Sequence, residues 1–275
     1  MRVAYDAAMS SPAASPVSEH MTASVVSVTE DTSLEEVVKT LLRLDISCVL
    51  VTKAAGGREA APAGVVSLTD LARVSRLEGG QHGPLRIMPP DRCAKDIMQS
   101  PIVSVDAEAD VSKAASIMLE HRVHRVFVRR GERIVGVFST RDALRVVLFR
   151  RVETPLRAVM TTPVETIGIG DVIDDALAKL EATNLRGLVV LDGKAPVGVF
   201  TQMEAIRARA LTPELRLRPV EEIMSYETLN LDADTPLYRA AGHAIATKVR
   251  RILALDGRTL AGIVTGYDLA HVLAS

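Results

Sequence analysis

Four acidic residues stand at the end of the same short motif: Asp70, Asp142, Glu204 and Asp268. Each follows a hydroxyl residue by three positions (Ser67, Ser139, Thr201 and Thr265) and a glycine by six (Gly64, Gly136, Gly198 and Gly262). This spacing has two chemical uses. Where a strand ends and a helix begins, the free N–H groups and the Ser or Thr hydroxyl can meet a phosphate. A carboxylate three residues on can then accept both hydroxyls of a ribose. The same Ser/Thr-x-x-Asp/Glu spacing is also a helix capping box, in which hydroxyl and acid satisfy the helix's own N–H groups. Each copy leaves both uses open.

Basic residues form a second set. His124-Arg125 and Arg250-Arg251 stand at matching places, Arg186 is displaced by one residue, and the first copy has Ser47-Cys48 there. A guanidinium gives bidentate phosphate contact and keeps its charge. His124 would make such contact pH-sensitive. The alternative is a solvated basic edge, to which His121, Arg122, Arg129, Arg130 and Arg133 would also belong. Polar residues form a third set, one and six positions after a recurring Met. The nearer are Thr22, Gln99, Thr161 and Ser225, and the farther are Ser27, Ser104, Thr166 and Asn230. They are candidates for ligand contact, or else outward-facing residues of half-buried strands.

A repeated element must position these groups. Short helical segments ending at Met21, Met98, Met160 and Met224 open four copies. Thirteen residues later an apolar helical stripe starts at Leu34, Val111, Ile173 or Leu237. In the first copy it runs through Val37, Val38, Leu41 and Leu42, a spacing that turns one face to a core. Twenty-seven residues after each Met, at Cys48, Arg125, Gly187 and Arg251, a short branched apolar run begins and reads as a buried strand. A turn and a second strand, expected to begin at the motif's glycine, complete a hairpin. A second helix follows. The order strand, helix, strand, strand, helix gives a mixed α/β (α+β) class, four times over. The expected units are a flexible tail over 1–16, repeats over 17–77, 93–150, 155–210 and 219–275, and a linker over 78–92. The first copy carries five extra residues in a loop within 54–62.

The 275-residue chain has 33 Lys and Arg against 34 Asp and Glu, and no Trp. That balance speaks against a protein built mainly to grip nucleic acid, and leaves little for base stacking. The Arg-rich edge of repeat two keeps nucleic-acid binding as a lesser alternative. Cys48 and Cys93 lack metal-ligand spacing. No His pair has zinc spacing, and no phosphate loop or nucleophile elbow occurs. No enzyme, catalytic cofactor or metal is therefore expected. Without an apolar leader or membrane-length run, the expected setting is cytoplasmic.

The opening Met segment, the buried hairpin and the Gly-x-x-Ser/Thr-x-x-Asp ending resemble the cystathionine β-synthase-type (CBS) domain. Four copies are similar in layout to gamma subunits of AMP-activated kinase and to stand-alone bacterial CBS proteins. The resemblance implies that copies pair into two Bateman modules and that the modules form a disk. It implies ligands such as AMP, ADP, ATP or S-adenosylmethionine in the clefts, and a regulated partner protein. It also leaves room for a homodimer. The acids would hold ribose and His124-Arg125 and Arg250-Arg251 the phosphates. Asp142 would face the Ser27 strand, Asp70 the Ser104 strand, Asp268 the Thr166 strand and Glu204 the Asn230 strand. The Asp142 and Asp268 sites rank first, followed by Asp70 if Arg125 reaches across. Glu204 ranks last because its extra methylene crowds the ribose. An interaction scaffold with unused clefts is the alternative.

Overall fold

A computed structural model describes residues 15–53, 61–75, 88–89, 91–183 and 185–275. The expected tail through residue 14, positions 54–60 of the loop, and 78–87 and 90 of the linker lie outside these residues. Ser15 and Pro16 are held in place. Pro16 bridges Asp110, and the Ser15 hydroxyl meets the His20 ring at 2.8 Å.

Four sheets of three strands form, one per repeat. In repeat one a 3-10 turn (Val17–Glu19) leads to β1 (Ser27–Thr29), α1 (Leu34–Arg43), β2 (Cys48–Thr52), β3 (Pro62–Ser67) and α2 (Leu68–Val74). Repeat two has a turn at Ala94–Asp96, then β4 (Ser104–Asp106), α3 (Val111–Glu120), β5 (Arg125–Arg130), β6 (Arg133–Ser139) and α4 (Thr140–Phe149). Repeat three runs through α5 (Leu156–Val159), β7 (Thr166–Gly168), α6 (Ile173–Thr183), β8 (Gly187–Asp192), β9 (Ala195–Thr201) and α7 (Gln202–Arg209), and the short α8 (Pro213–Arg216) follows. Repeat four has a turn at Val220–Glu222, then β10 (Leu229–Asp232), α9 (Leu237–Thr247), β11 (Ile252–Asp256), β12 (Thr259–Val264) and α10 (Gly266–Ala274). In every sheet the opening strand pairs parallel with the middle one, and the middle strand pairs antiparallel with the last.

The apolar stripes bury as their spacing predicts. Leu34, Val37 and Leu41 of α1 are fully covered, as are Val111, Ala114, Ala115 and Met118 of α3. The stripe is narrower than expected at the end of α1, where Leu42 stays exposed. The last strands also differ from expectation. They begin two or three residues before the glycine, at Pro62, Arg133, Ala195 and Thr259. The glycine instead pairs beside a register shift in the middle strand, between Val51 and Thr52 in repeat one and at the same place in the others. Such a bulge bends the strand.

Those glycines join the repeats in pairs. Isolated bridges link Val65 to Gln99, Val137 to Thr22, Val199 to Ser225 and Ile263 to Thr161. Thus repeat one pairs with two, and three with four. Each bridge brings the strand after a glycine against the segment after the partner's Met. A Cβ on Gly198 would stand 2.8 Å from the Ser225 carbonyl and 2.9 Å from Met224 Sδ. Gly64 faces Met98 and the Gln99 carbonyl in the same way, while Gly136 faces Met21 and Gly262 faces Met160. The fixed Met and the fixed Gly of each copy are therefore partners across the pair.

The two modules meet unevenly. Repeats two and four share one apolar core, with α3 and α4 packed on α10 and α9. Gly266 at the start of α10 lies directly on Thr140 at the start of α4. Repeats one and three keep separate cores, joined by Ile206 of α7, which packs with α2.

Gly198→Ala is expected to destabilise the protein by about 1–3 kcal/mol, because backbone on the facing segment must shift to admit one methyl. Urea unfolding measures this. An unchanged midpoint would show that the contact between the strands is not tight.

Candidate functional site

The four acids are buried at the starts of the closing helices: Asp70, Asp142, Glu204 and Asp268 are all at most 8% exposed. One oxygen of each accepts from its own helix cap. Asp142 Oδ2 takes the Ser139 N–H at 2.8 Å and the Ser139 hydroxyl at 2.7 Å. Ser67 donates in the same way to Asp70, Thr201 to Glu204 and Thr265 to Asp268. The capping-box geometry is thus present in all four copies.

The second oxygen distinguishes the copies. Thr22 donates to Asp142 Oδ1 at 2.9 Å, Thr161 to Asp268 Oδ1 at 2.5 Å and Gln99 to Asp70 Oδ1 at 3.2 Å. Each donor sits one residue after the partner's Met, so each acid faces its partner's opening segment. Arg145 also pairs with Asp142 Oδ1, at 2.9 Å. Ser225 makes no such bond to Glu204, whose other oxygen lies 3.7 Å from Arg207. The longer Glu side chain reaches its own helix cap and leaves the partner's hydroxyl to another contact, the Glu227 N–H.

Of the more distant polar residues, Ser27, Ser104 and Thr166 each open a strand. Their backbone pairs with Leu50, Phe127 and Val189 of the middle strand.

The residues at and just before the starts of the middle strands converge. Arg125 Nη2 donates across its module to the Ser47 hydroxyl at 2.8 Å, so it reaches repeat one. Arg250 Nη1 donates to the same hydroxyl at 3.3 Å, from the other module. Arg251 Nη2 donates to the Arg186 carbonyl at 3.5 Å. Burial lowers the Arg186 guanidinium to about 10, and the charges of Arg125 and Arg251 add to the effect. Burial likewise lowers Arg250 to about 10, reinforced by Arg141 and opposed by Asp45. Arg251 is lowered by burial, with Glu204 acting the other way. Burial, then Arg186, Arg125 and Arg251, push the His124 imidazole down to about 3. Five basic side chains from three repeats therefore feel one another. Among the described residues, one carboxylate, Asp45, forms an ion pair with any of them, with Arg250 at 3.2 Å.

Such a cluster is a ready acceptor for a polyanion. Guanidiniums give forked donors, and a half-buried setting screens their charge less than water does. His124 is neutral there and can also donate through its ring N–H. The sequence singled out His124, Arg125, Arg250 and Arg251, and the structure brings them together. It adds Arg186, whose one-residue displacement had set it apart from the pairs, Ser47, the uncharged counterpart of those pairs in repeat one, Arg141 from within the closing motif of repeat two, and Asp45, which carried no motif. Among the described residues no group of three His, Cys, Asp or Glu could hold a metal ion, and no helix is long and apolar enough to cross a membrane.

The profile of the CBS domain matches residues 17–76, 94–148, 156–211 and 220–275, and the chain belongs to the CBS-domain family. Its four copies make it a four-repeat member. A protein of Methanocaldococcus jannaschii described as a candidate archaeal homologue of g-AMPK has a similar solved structure, with a TM-score of 0.76 at 16% identity, covering 94% of this chain and 100% of that one. An uncharacterised conserved protein of Pyrococcus horikoshii gives 0.64 at 18% identity, covering 94% and 100%. Among curated proteins, an uncharacterised protein of M. jannaschii is 23% identical over 94% of this chain and 62% of its own length. The A-adding tRNA nucleotidyltransferase of Geobacter sulfurreducens is 26% identical over 55% of this chain and 18% of its own length. The chain thus spans less than two thirds of these curated relatives.

His124 gives the protein a pH signature. Its folded value lies near 3, below the ordinary 6.5. Between those values the unfolded chain takes up a proton that the folded chain refuses, so stability falls as pH drops. From pH ~7 to ~4 the melting temperature of the wild type should fall more steeply than that of His124→Gln. Parallel slopes would show that the ring is solvated and free to charge.

Proposed function

We propose that this chain is a regulatory protein that binds adenosine-containing ligands between paired repeats and turns their phosphates toward the central arginines. The observation that carries this reading is the convergence of Arg125, Arg186, Arg250 and Arg251, of which, among the described residues, only Arg250 is ion-paired, with Asp45. Like charges are held together there by the fold, and an anion between them relieves the repulsion. The adenosine half of the reading comes from the family resemblance. The cations select within that ligand class. S-Adenosylmethionine carries no phosphate, so AMP, ADP and ATP suit the centre better.

The acids Asp142, Asp268 and Asp70 would border the ribose, with Thr22, Thr161 and Gln99 yielding an acid oxygen to it. Ser139, Thr265, Ser67 and Thr201 would line the helix starts, and Ser27, Ser104 and Thr166 the opposite walls. The Glu204 cleft is the poorest of the four. A ligand that contacts arginines of both modules would change how the modules pack, by as much as its affinity differs between the two packings. A partner protein in the cytoplasm would read that change. A second reading, an interaction scaffold, draws on the acids, whose hydrogen bonds are already taken up within the fold.

Thermal unfolding with AMP, ADP, ATP and S-adenosylmethionine tests the proposal. A ligand at about 100 times its Kd adds ~2.7 kcal/mol, a shift of a few degrees for a chain of this size. The nucleotides should give that shift, and Arg125→Ala with Arg250→Ala should abolish it while the ligand-free protein stays folded. Arginine variants are preferred to acid variants because Asp142 and Asp268 also cap helices. No shift with any nucleotide at millimolar concentration favours the scaffold.

A further inference from the structure

Repeat one departs from the others where its first helix ends. The residue 24 positions after the opening Met is Asp45, Arg122, Asn184 or Lys248, so it is acidic in repeat one alone. Asp45, Arg122 and Lys248 all have left-handed backbone there, with φ of 48°, 53° and 60°. The shared turn means that only the side chain has changed. Repeat one is also the copy with no cation at the start of its middle strand.

The acid lies at the cation cluster. Arg250 Nη2 donates to Asp45 Oδ1 at 3.2 Å and to the Asp45 carbonyl at 2.8 Å. Arg141 of repeat two pairs with the other carboxylate oxygen. Two residues on, the Ser47 hydroxyl accepts from Arg125 and Arg250. Residues 45–47 therefore offer carboxylate, carbonyl and hydroxyl oxygens to guanidiniums of repeats two and four. Oxygens of a phosphate would engage the same donors.

We infer that Asp45 is a built-in competitor for the anion site: its carboxylate occupies the Arg141 and Arg250 end of the cluster and yields it to an incoming polyphosphate. This rests on the proposed function of the same site and adds its regulation. The Asp45 side chain is 72% exposed, so it can swing into water with little rearrangement. An exposed ion pair is weak and gives way to a ligand of higher charge. Its release also cuts a tie between repeat one and repeat four, which lie in different modules. Ligand charge and module coupling are thereby linked. A triphosphate displaces the carboxylate more effectively than a monophosphate.

Calorimetric titration of wild type and Asp45→Asn with ATP, AMP and inorganic tripolyphosphate tests this. Asn stands at the corresponding position of repeat three, and it tolerates left-handed backbone. Asp45→Asn should bind ATP and tripolyphosphate about fivefold more tightly than wild type, with a smaller gain for AMP. The gain should shrink in ~0.5 M salt, where charge effects are screened. Equal or weaker binding of both polyphosphates by the variant overturns the inference even where wild type binds nucleotide. A gain for tripolyphosphate without binding of any nucleotide keeps the competition and removes the adenosine reading. No binding of any of the three by either protein removes both.

Discussion

The close approach of a glycine-bearing strand to the segment after its partner's methionine is the contact on which the molecule is built. Two backbones meet there at a distance that leaves no room for a methyl group at Gly198. The approach sets the bridges that pair one repeat with the next. It also brings Thr22, Thr161 and Gln99 under the acids of the partner repeats. Asp142, Asp268 and Asp70 thus each report two things at once: the near oxygen starts a helix, and the far oxygen registers that the neighbouring repeat is in place. A capping residue in an isolated helix does only the first.

Once the pairs are set, the starts of the middle strands have nowhere to go but the centre. The packing of repeat two on repeat four, with Gly266 against Thr140, brings the second module up to the first. Arg125, Arg186, Arg250 and Arg251 then share a half-buried region that also lowers the His124 imidazole. At an effective dielectric of about 20, like charges ~6 Å apart repel by roughly 3 kcal/mol. A fold selected for stability alone would place fewer cations there. Ser47, Asp45 and the Arg186 carbonyl accept hydrogen bonds from them, and the charges of Asp70 and Glu204 act against the repulsion at Arg186 and Arg251; in the proposed reading an anion supplies the rest. The seam between repeats one and three, with its separate cores, contributes less to holding the modules together.

Much of this was legible in the sequence because repetition multiplies weak signals. A stripe such as Leu34, Val37 and Leu41 is ordinary, but its recurrence thirteen residues after four methionines defines the repeat. The pairing of Met with Gly was hidden, since each residue recurs within a copy while the contact lies between copies. The convergence of the basic residues was legible only as a coincidence of position, because spacing within a repeat does not say which repeats face each other. Arg186 was set apart from the pairs by one residue, and Asp45 belonged to no motif. The choice between ribose site and helix cap at Asp142 rests on a single Ser-x-x-Asp pattern that serves both, and the structure shows the Asp142 carboxylate accepting from the Ser139 N–H and hydroxyl at the helix start.

The most direct measurement is a crystal structure of the protein with ATP. The account predicts phosphate oxygens within hydrogen-bonding distance of at least two of Arg125, Arg186, Arg250 and Arg251, and Asp45 turned away from Arg250. ATP bound elsewhere, or a centre still closed by Asp45 with no phosphate among the arginines, would contradict it.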